Sequence, residues 1–414
     1  VTVTDQHVGG APIAFDPYDY AFQDDPYPVY ARLRDEDPLH HDEQHDLWVL
    51  SRHADIAAAV RDDDTYSNAM GVSLDASAWH KDAHRVMSFL ALDPPRQSRL
   101  RSLVSKGFTP RRVRELEPRI QRLTDHHLDA VLPGPGESGS LDWITDVAGR
   151  LPMDVISELM GVPEADRDEI RRLGDLTVHR EPGVHDVPPV GMTAALDLIA
   201  YYEGFLAERK RRPGDDLTSA LLAAEVDGDR LEDHEIVAFL FLMGVAGNET
   251  TTKLLGNALH HLAAQPDQRD EVFADPADLA LVGPWIEETL RFDTSSQMLA
   301  RHLKRDVALH GRVAPAGAKL LLVLGSANRD ERVFSEPARY DLHRDPAELA
   351  QSLSFGGGRH FCLGANLARL EARVALDELV RRVRTFEVDT PAARRVHSTS
   401  VRGFARLPIR VEMR

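Results

Sequence analysis

Apolar residues recur at helical spacing through most of the chain and at strand spacing mainly near its ends. Tyr27, Val29, Tyr30 and Leu33 set a helix between Pro26 and Asp37, stopped by Pro38. His41 to Asp46 reads as a polar turn, Leu47 to Leu50 as a strand, and Arg52 to Arg61 as a helix. Asp62 to Leu90 has no period and is too long for an ordinary connection, which predicts a functional loop. Asp93-Pro94-Pro95 opens a helix that runs to about Gly107, with proline in the first turn. Helical patterns follow over Pro110 to Leu132 with a break at Pro118, Leu141 to Met160 with a break at Pro152, and Pro163 to His179. The Pro/Gly-rich stretch Glu181 to Gly191 interrupts them. Helices resume at Met192 to Arg211, at Leu231 to Leu262 with a weak point over Gly244 to Gly247, and at Pro284 to Phe292. Met298 to Ala300, Val307 to Leu309, Lys319 to Leu324 and Ala405 to Val411 read as strands. No repeat or linker divides the pattern, so the expectation is one domain over residues 1–414, mainly α with a smaller β-rich part.

One stretch departs from both periods. Ser354 to Gly364 carries three consecutive glycines and the chain's single cysteine, Cys362. Glycine allows φ > 0 and lets backbone approach a flat ligand where a Cβ would collide. The residues after it, Ala365 to Leu376, have helical spacing, so the sulfur lies near a helix N-terminus. Free N–H groups and the macrodipole there are expected to lower the thiol pKa and favour thiolate. One thiolate makes no intramolecular disulfide, and no Cys/His cluster surrounds it for structural zinc. It suits the axial position of haem iron, whose porphyrin supplies the equatorial ligands. An inert buried cysteine in a glycine-rich turn is the other reading.

Charge narrows the partners. The formal net charge of -18 argues against general binding to nucleic acid or anionic membrane. Val1 to Pro17 has no basic-then-apolar signal pattern, and the longest apolar run, Ile236 to Ala246, is too short to span a bilayer. With one cysteine, the chain fits a reducing cytoplasm.

Further motifs carry chemistry only in context. Ala246-Gly247-Asn248-Glu249-Thr250-Thr251 places an acid and two alcohols inside the longest helix. By itself this is either a glycine kink that eases packing or a proton-handling pair. Glu288 and Arg291 share a helix face and can pair. The pairs His41/His45 and His80/His84 have i, i+4 spacing, but in non-helical segments, so they read as surface histidines rather than metal ligands.

The order Phe355-Gly356-x-Gly358-x-His360-x-Cys362-x-Gly364 resembles, at every fixed position, the proximal haem loop of the cytochrome P450 family, soluble bacterial type. The resemblance implies the P450 fold and haem b (iron protoporphyrin IX). It makes Cys362 the metal ligand, with Phe355, Gly358 and Gly364 around the cofactor and Arg101, Arg301 and His360 on its propionates. Gln97 stands where the family frequently has His. Glu249 and Thr250 match the family's catalytic acid–alcohol pair beside the oxygen site. Glu288, Arg291 and Arg344 match its structural Glu-x-x-Arg element. Pocket walls are implied at Leu242, Met243, Ala246, Ser295 and Leu299, in the Asp62–Leu90 loop and near Thr399.

The implied activity is a monooxygenase that inserts one atom of O2 into an apolar small molecule, in the manner of secondary metabolism. Electrons would come from a separate ferredoxin and ferredoxin reductase, because about fifty residues beyond Cys362 leave no room for a flavin domain. Lys106, Arg111, Arg112 and Arg369 form a candidate basic docking patch. Three alternatives remain open: a peroxide-driven or ring-coupling reaction on the same haem, a haem-based sensor, and a hydrolase with Cys362 as nucleophile and His360 as base.

Overall fold

The computed structural model describes residues 13–181, 184–226 and 228–414. Most of the N-terminal stretch read above, and Pro182 and Gly183 of the Pro/Gly-rich interruption, lie outside the described residues.

The helix Asp233–Ala263 forms the axis of the molecule. Its start is fixed by a capping box: Glu232 accepts from the first turn, and the Glu235 side chain accepts from the Glu232 amide at 3.0 Å. It runs on unbroken through the weak point at Gly244 to Gly247. Gly244 instead makes room for a neighbour, since a Cβ there would lie 2.5 Å from the Tyr202 hydroxyl. Phe239, Leu240, Leu255 and Leu259 are wholly buried, each worth about 1.5–3 kcal/mol of apolar burial. Around this axis pack Leu151–Met160, Glu164–Val178, Pro189–Arg211, Val282–Phe292 and Ala365–Arg382.

A five-stranded sheet lies to one side, in the order Leu39–Asp42, Leu47–Leu50, Lys319–Val323, Met298–Leu303, Tyr66–Ser67. The polar turn after His41 is thus the tip of a hairpin whose first strand the sequence pattern did not reveal. In the strand Met298–Leu303, period-2 alternation turns Leu299 and Arg301 to the same face, toward the central cavity.

The stretch Leu141 to Met160 is not one broken helix. Ser138–Asp142 is a strand paired with Pro408–Met413, Ile144–Ala148 is a π-helical turn, and Leu151–Met160 is the helix. The expected Ala405 to Val411 strand divides into Phe404–Arg406 and Pro408–Met413, which join different sheets. The Asp62 to Leu90 segment is largely irregular, with short helical turns, and only Phe89 and Leu90 of it reach the cavity.

Candidate active site

The Cys362 loop lies against the C-terminal end of the helix His53–Ala59. Gly358 has φ +61°, and a Cβ there would collide with the Val60 carbonyl oxygen. At Gly357 a Cβ would stand 2.7 Å from Val60 Cγ2. The Cys362 amide donates to the Phe355 carbonyl at 2.9 Å, which folds the loop back on itself. The helix Ala365–Arg382 then starts with Gly364 as its N-cap.

The sulfur is exposed only toward the interior. It opens onto a cavity of about 1430 Å³, counting its mouth. Burial pushes the Cys362 thiol up, against the opposing pull of the Gly364 amide, Arg101, Arg369 and the Ala365 amide. The expectation of a depressed thiol pKa is corrected here: the helix-terminal donors are present, but desolvation outweighs them. A cation bound to the sulfur would reverse that balance.

Arg101, Arg301, Phe355, His360, Cys362 and Gly364 all line this cavity, as do Leu242, Met243, Ala246, Thr250, Ser295 and Leu299. Gly358 does not, since it faces Val60. Glu249 stands behind the wall, buried, with the Lys253 ammonium 3.0 Å away. The Thr250 hydroxyl donates to the Ala246 carbonyl at 2.9 Å. Thr399 lies in a separate small pocket beside Gln23, Tyr30 and Arg402. Glu288, Arg291 and Arg344 form a buried ion cluster away from the cavity.

The cations show an unusual pattern. Arg301 is buried and donates to its neighbour's carbonyl at 2.8 Å, and among the described residues no carboxylate lies within ion-pair distance of it. Burial lowers its pKa to about 10. Arg101 donates to the Phe361 carbonyl at 2.5 Å, yet its Nη1 is buried without a partner. Both ring nitrogens of His360 are likewise buried and unpartnered. Burial, then the charges of Arg301 and Arg101, push His360 down to about 3, so the ring is neutral at ordinary pH. Gln97 is buried and donates to the Arg359 carbonyl at 2.9 Å, so it ties the cysteine loop to its own helix.

The cytochrome P450 family profile matches residues 198–413. A putative cytochrome P450 123 of Mycobacterium tuberculosis (strain ATCC 25618 / H37Rv) is 55% identical over 407 residues, covering 98% of this chain and 99% of the relative. The chain belongs to the cytochrome P450 family. The vitamin D(3) 25-hydroxylase of Pseudonocardia autotrophica is 38% identical over 415 residues, covering 99% and 97%. Among solved P450 structures, CYP109Q5 from Chondromyces apiculatus superposes with a TM-score of 0.85 at 34% identity, over 97% of this chain and 100% of that one.

As a P450, the protein is a haem-thiolate monooxygenase that uses O2 and an organic substrate. The cavity fits the haem on its own chemistry. It offers one sulfur in its wall together with the Arg101 and Arg301 guanidiniums and the His360 imidazole, and Arg101 Nη1 and both His360 nitrogens lack partners, a donor set for two propionates. Among the described residues no helix is long and apolar enough to cross a membrane.

Three residues in or behind the cavity wall escaped the sequence pattern. Glu371, on the helix after Cys362, lines the cavity fully buried with Oε2 unpartnered. Lys253 was legible in principle, four residues beyond Glu249 on one helix face. Asp175 reaches Glu249 from another helix, and no local spacing could show that.

Proposed function

We propose that the protein hydroxylates or epoxidises a neutral, medium-sized apolar molecule, with haem b held by Cys362 and electrons from a separate ferredoxin and reductase. The observation that carries this reading is that Cys362 and Thr250 open onto one cavity whose other substrate-side walls are aliphatic or hydroxylated. Leu242, Met243, Ala246 and Leu299 exclude water, and Ser295 offers a hydroxyl for an oxygen of the substrate. A relative named for vitamin D(3) hydroxylation supports a sterol-like scaffold as the first class to screen.

When bound, the haem supplies the redox iron at which electrons and O2 meet. The Cys362 thiolate would hold the metal, while Arg101, Arg301 and His360 would take the propionates. Thr250 Oγ1 donates to Ala246, so its lone pairs remain to accept a hydrogen bond from the cavity. Glu249, fixed by Lys253, lies behind that hydroxyl and would relay protons toward it through water. His360 is next but one to the thiol, but its ring makes no bond to the sulfur, which weighs against a Cys/His hydrolase.

We assign the ferredoxin contact to the exposed face at Arg111 and Arg112. Arg111 pairs with Glu115 at 2.9 Å and Arg369 with Glu287 at 2.5 Å, so Arg112 is the main cation of that face. We also read the chain as acting as one domain, in the cytoplasm. Reconstitution with a surrogate ferredoxin and reductase under isotopically labelled O2 tests the function. One labelled oxygen in the product supports it; label absent from a product formed at the same rate contradicts it.

A further inference from the structure

The buried ion pair of Glu249 and Lys253 leaves the proton supply unexplained. Both side chains are almost wholly buried, so neither exchanges freely with bulk water. We propose that Asp175, on the neighbouring helix Glu164–Val178, is the outer half of a carboxyl pair with Glu249 and passes protons from bulk water to it. The inference rests on the monooxygenase reading above, with Glu249 and Thr250 in their proton-handling roles.

Three observations support it. First, the two helices are in close contact beside Asp175: a Cβ on Gly174 would already touch the Gly244 carbonyl at 3.8 Å. Second, the Asp175 carboxyl lies close enough to Glu249 for the two to interact directly, and two ionised carboxylates that close repel each other. Burial, then the Glu249 charge, push Asp175 up to about 7, which makes Asp175 the member of the pair that takes up a proton near neutrality. Third, the Asp175 side of the pair is exposed while Glu249 is buried. The pair therefore spans from bulk water to the helix turn that carries Thr250.

Charge balance is consistent with this. The charged groups acting on Asp175 are Glu249 and Lys253 of the long helix and Arg171 one turn earlier on its own helix. Arg171 is itself 2.7 Å from Asp168. Two carboxyls sharing one proton carry one negative charge, which Lys253 offsets. In the step proposed, protonated Asp175 gives its proton to the Glu249 carboxylate. Asp175 is left as carboxylate and recovers a proton from a hydronium ion of bulk water, and no electrons move. Asp175 acts through Glu249, so it is a positioning residue for proton supply.

The test uses the haem-loaded protein and the variants Asp175→Asn and Asp175→Glu. Infrared titration of the wild type should show a carboxylic acid lost near neutrality, absent in Asp175→Asn. In turnover with a surrogate ferredoxin, Asp175→Asn should lower kcat about tenfold with KM unchanged, raise the solvent isotope effect and flatten the pH profile. Asp175→Glu should restore all three. If Asp175→Asn keeps the wild-type pH profile and isotope effect, or if the infrared band persists in it, the inference falls alone. If Asp175→Asn does not fold, the wild-type infrared titration and Asp175→Glu decide: no acid titrating near neutrality overturns the proposal. If the wild type itself forms no O2-derived product, the function above fails, and this inference with it.

Discussion

The Arg291 guanidinium forks onto Glu288 one turn earlier, with Nε and Nη2 each 2.7 Å from a carboxylate oxygen and both side chains wholly buried. Arg344 adds a third bond to the same carboxylate at 3.0 Å, and the remaining guanidinium donors take the carbonyls of Asn328, Pro337 and Arg339. Asn328 in turn holds Ser354, the first residue of the cysteine loop, at 2.8 Å. Glu288→Ala leaves the buried Arg291 guanidinium uncompensated, while Arg344 keeps Glu348 at 2.8 Å, and should cost about 3–5 kcal/mol. Arg344→Lys keeps the charge but loses the fork, so its loss should be smaller. Thermal unfolding of the haem-loaded proteins checks the order; equal stability of Glu288→Ala and wild type would remove the structural role.

Thr250→Ala deletes the hydroxyl that faces the cavity. Product per pair of electrons should drop roughly tenfold and hydrogen peroxide should appear in its place, with substrate affinity little changed. Simultaneous assay of reductant consumed, product and peroxide decides this. Full coupling in the variant would take Thr250 out of proton delivery.

Glu371 gives a pH dependence of known sign. Burial alone raises its carboxyl well above the usual value, and no side chain compensates. The folded state therefore keeps a proton that the unfolded chain loses above about pH 4.5. Stability should fall as pH rises from there toward the folded-state pKa, by up to about 1.4 kcal/mol per pH unit. Glu371→Gln removes that slope, so denaturant titrations should show it more stable than wild type at pH 8 and no more stable at pH 4. Parallel pH profiles for the two proteins would be the contrary outcome.

Arg112 is exposed on the face assigned to ferredoxin. Arg112→Glu should raise the KM for ferredoxin about three- to tenfold, leave kcat unchanged, and lose its effect as salt is added. Unchanged kinetics at low salt would move the docking face elsewhere.

What could be read in advance follows from the range of the interactions. The cysteine loop, the Glu249–Thr250 pair and the Glu288–Arg291 pair are local patterns, and each needs only its neighbours to be recognised. The strand at Ser138–Asp142 was hidden because it runs directly into apolar helical sequence, and its partner Pro408–Met413 is at the far end of the chain. Gln97 looked like a weakened propionate ligand; its true acceptor is 262 residues away. Cys362 was misjudged in pKa because the pattern showed the helix-terminal donors but not the depth of burial that outweighs them.

The account rests on a sulfur–iron bond at Cys362. The absorption spectrum of the reduced protein under carbon monoxide measures it directly. The prediction is a main band at the long-wavelength position of thiolate-ligated haem, lost in Cys362→Ser. A band at the position of imidazole ligation, or a protein that takes up no haem, would contradict it.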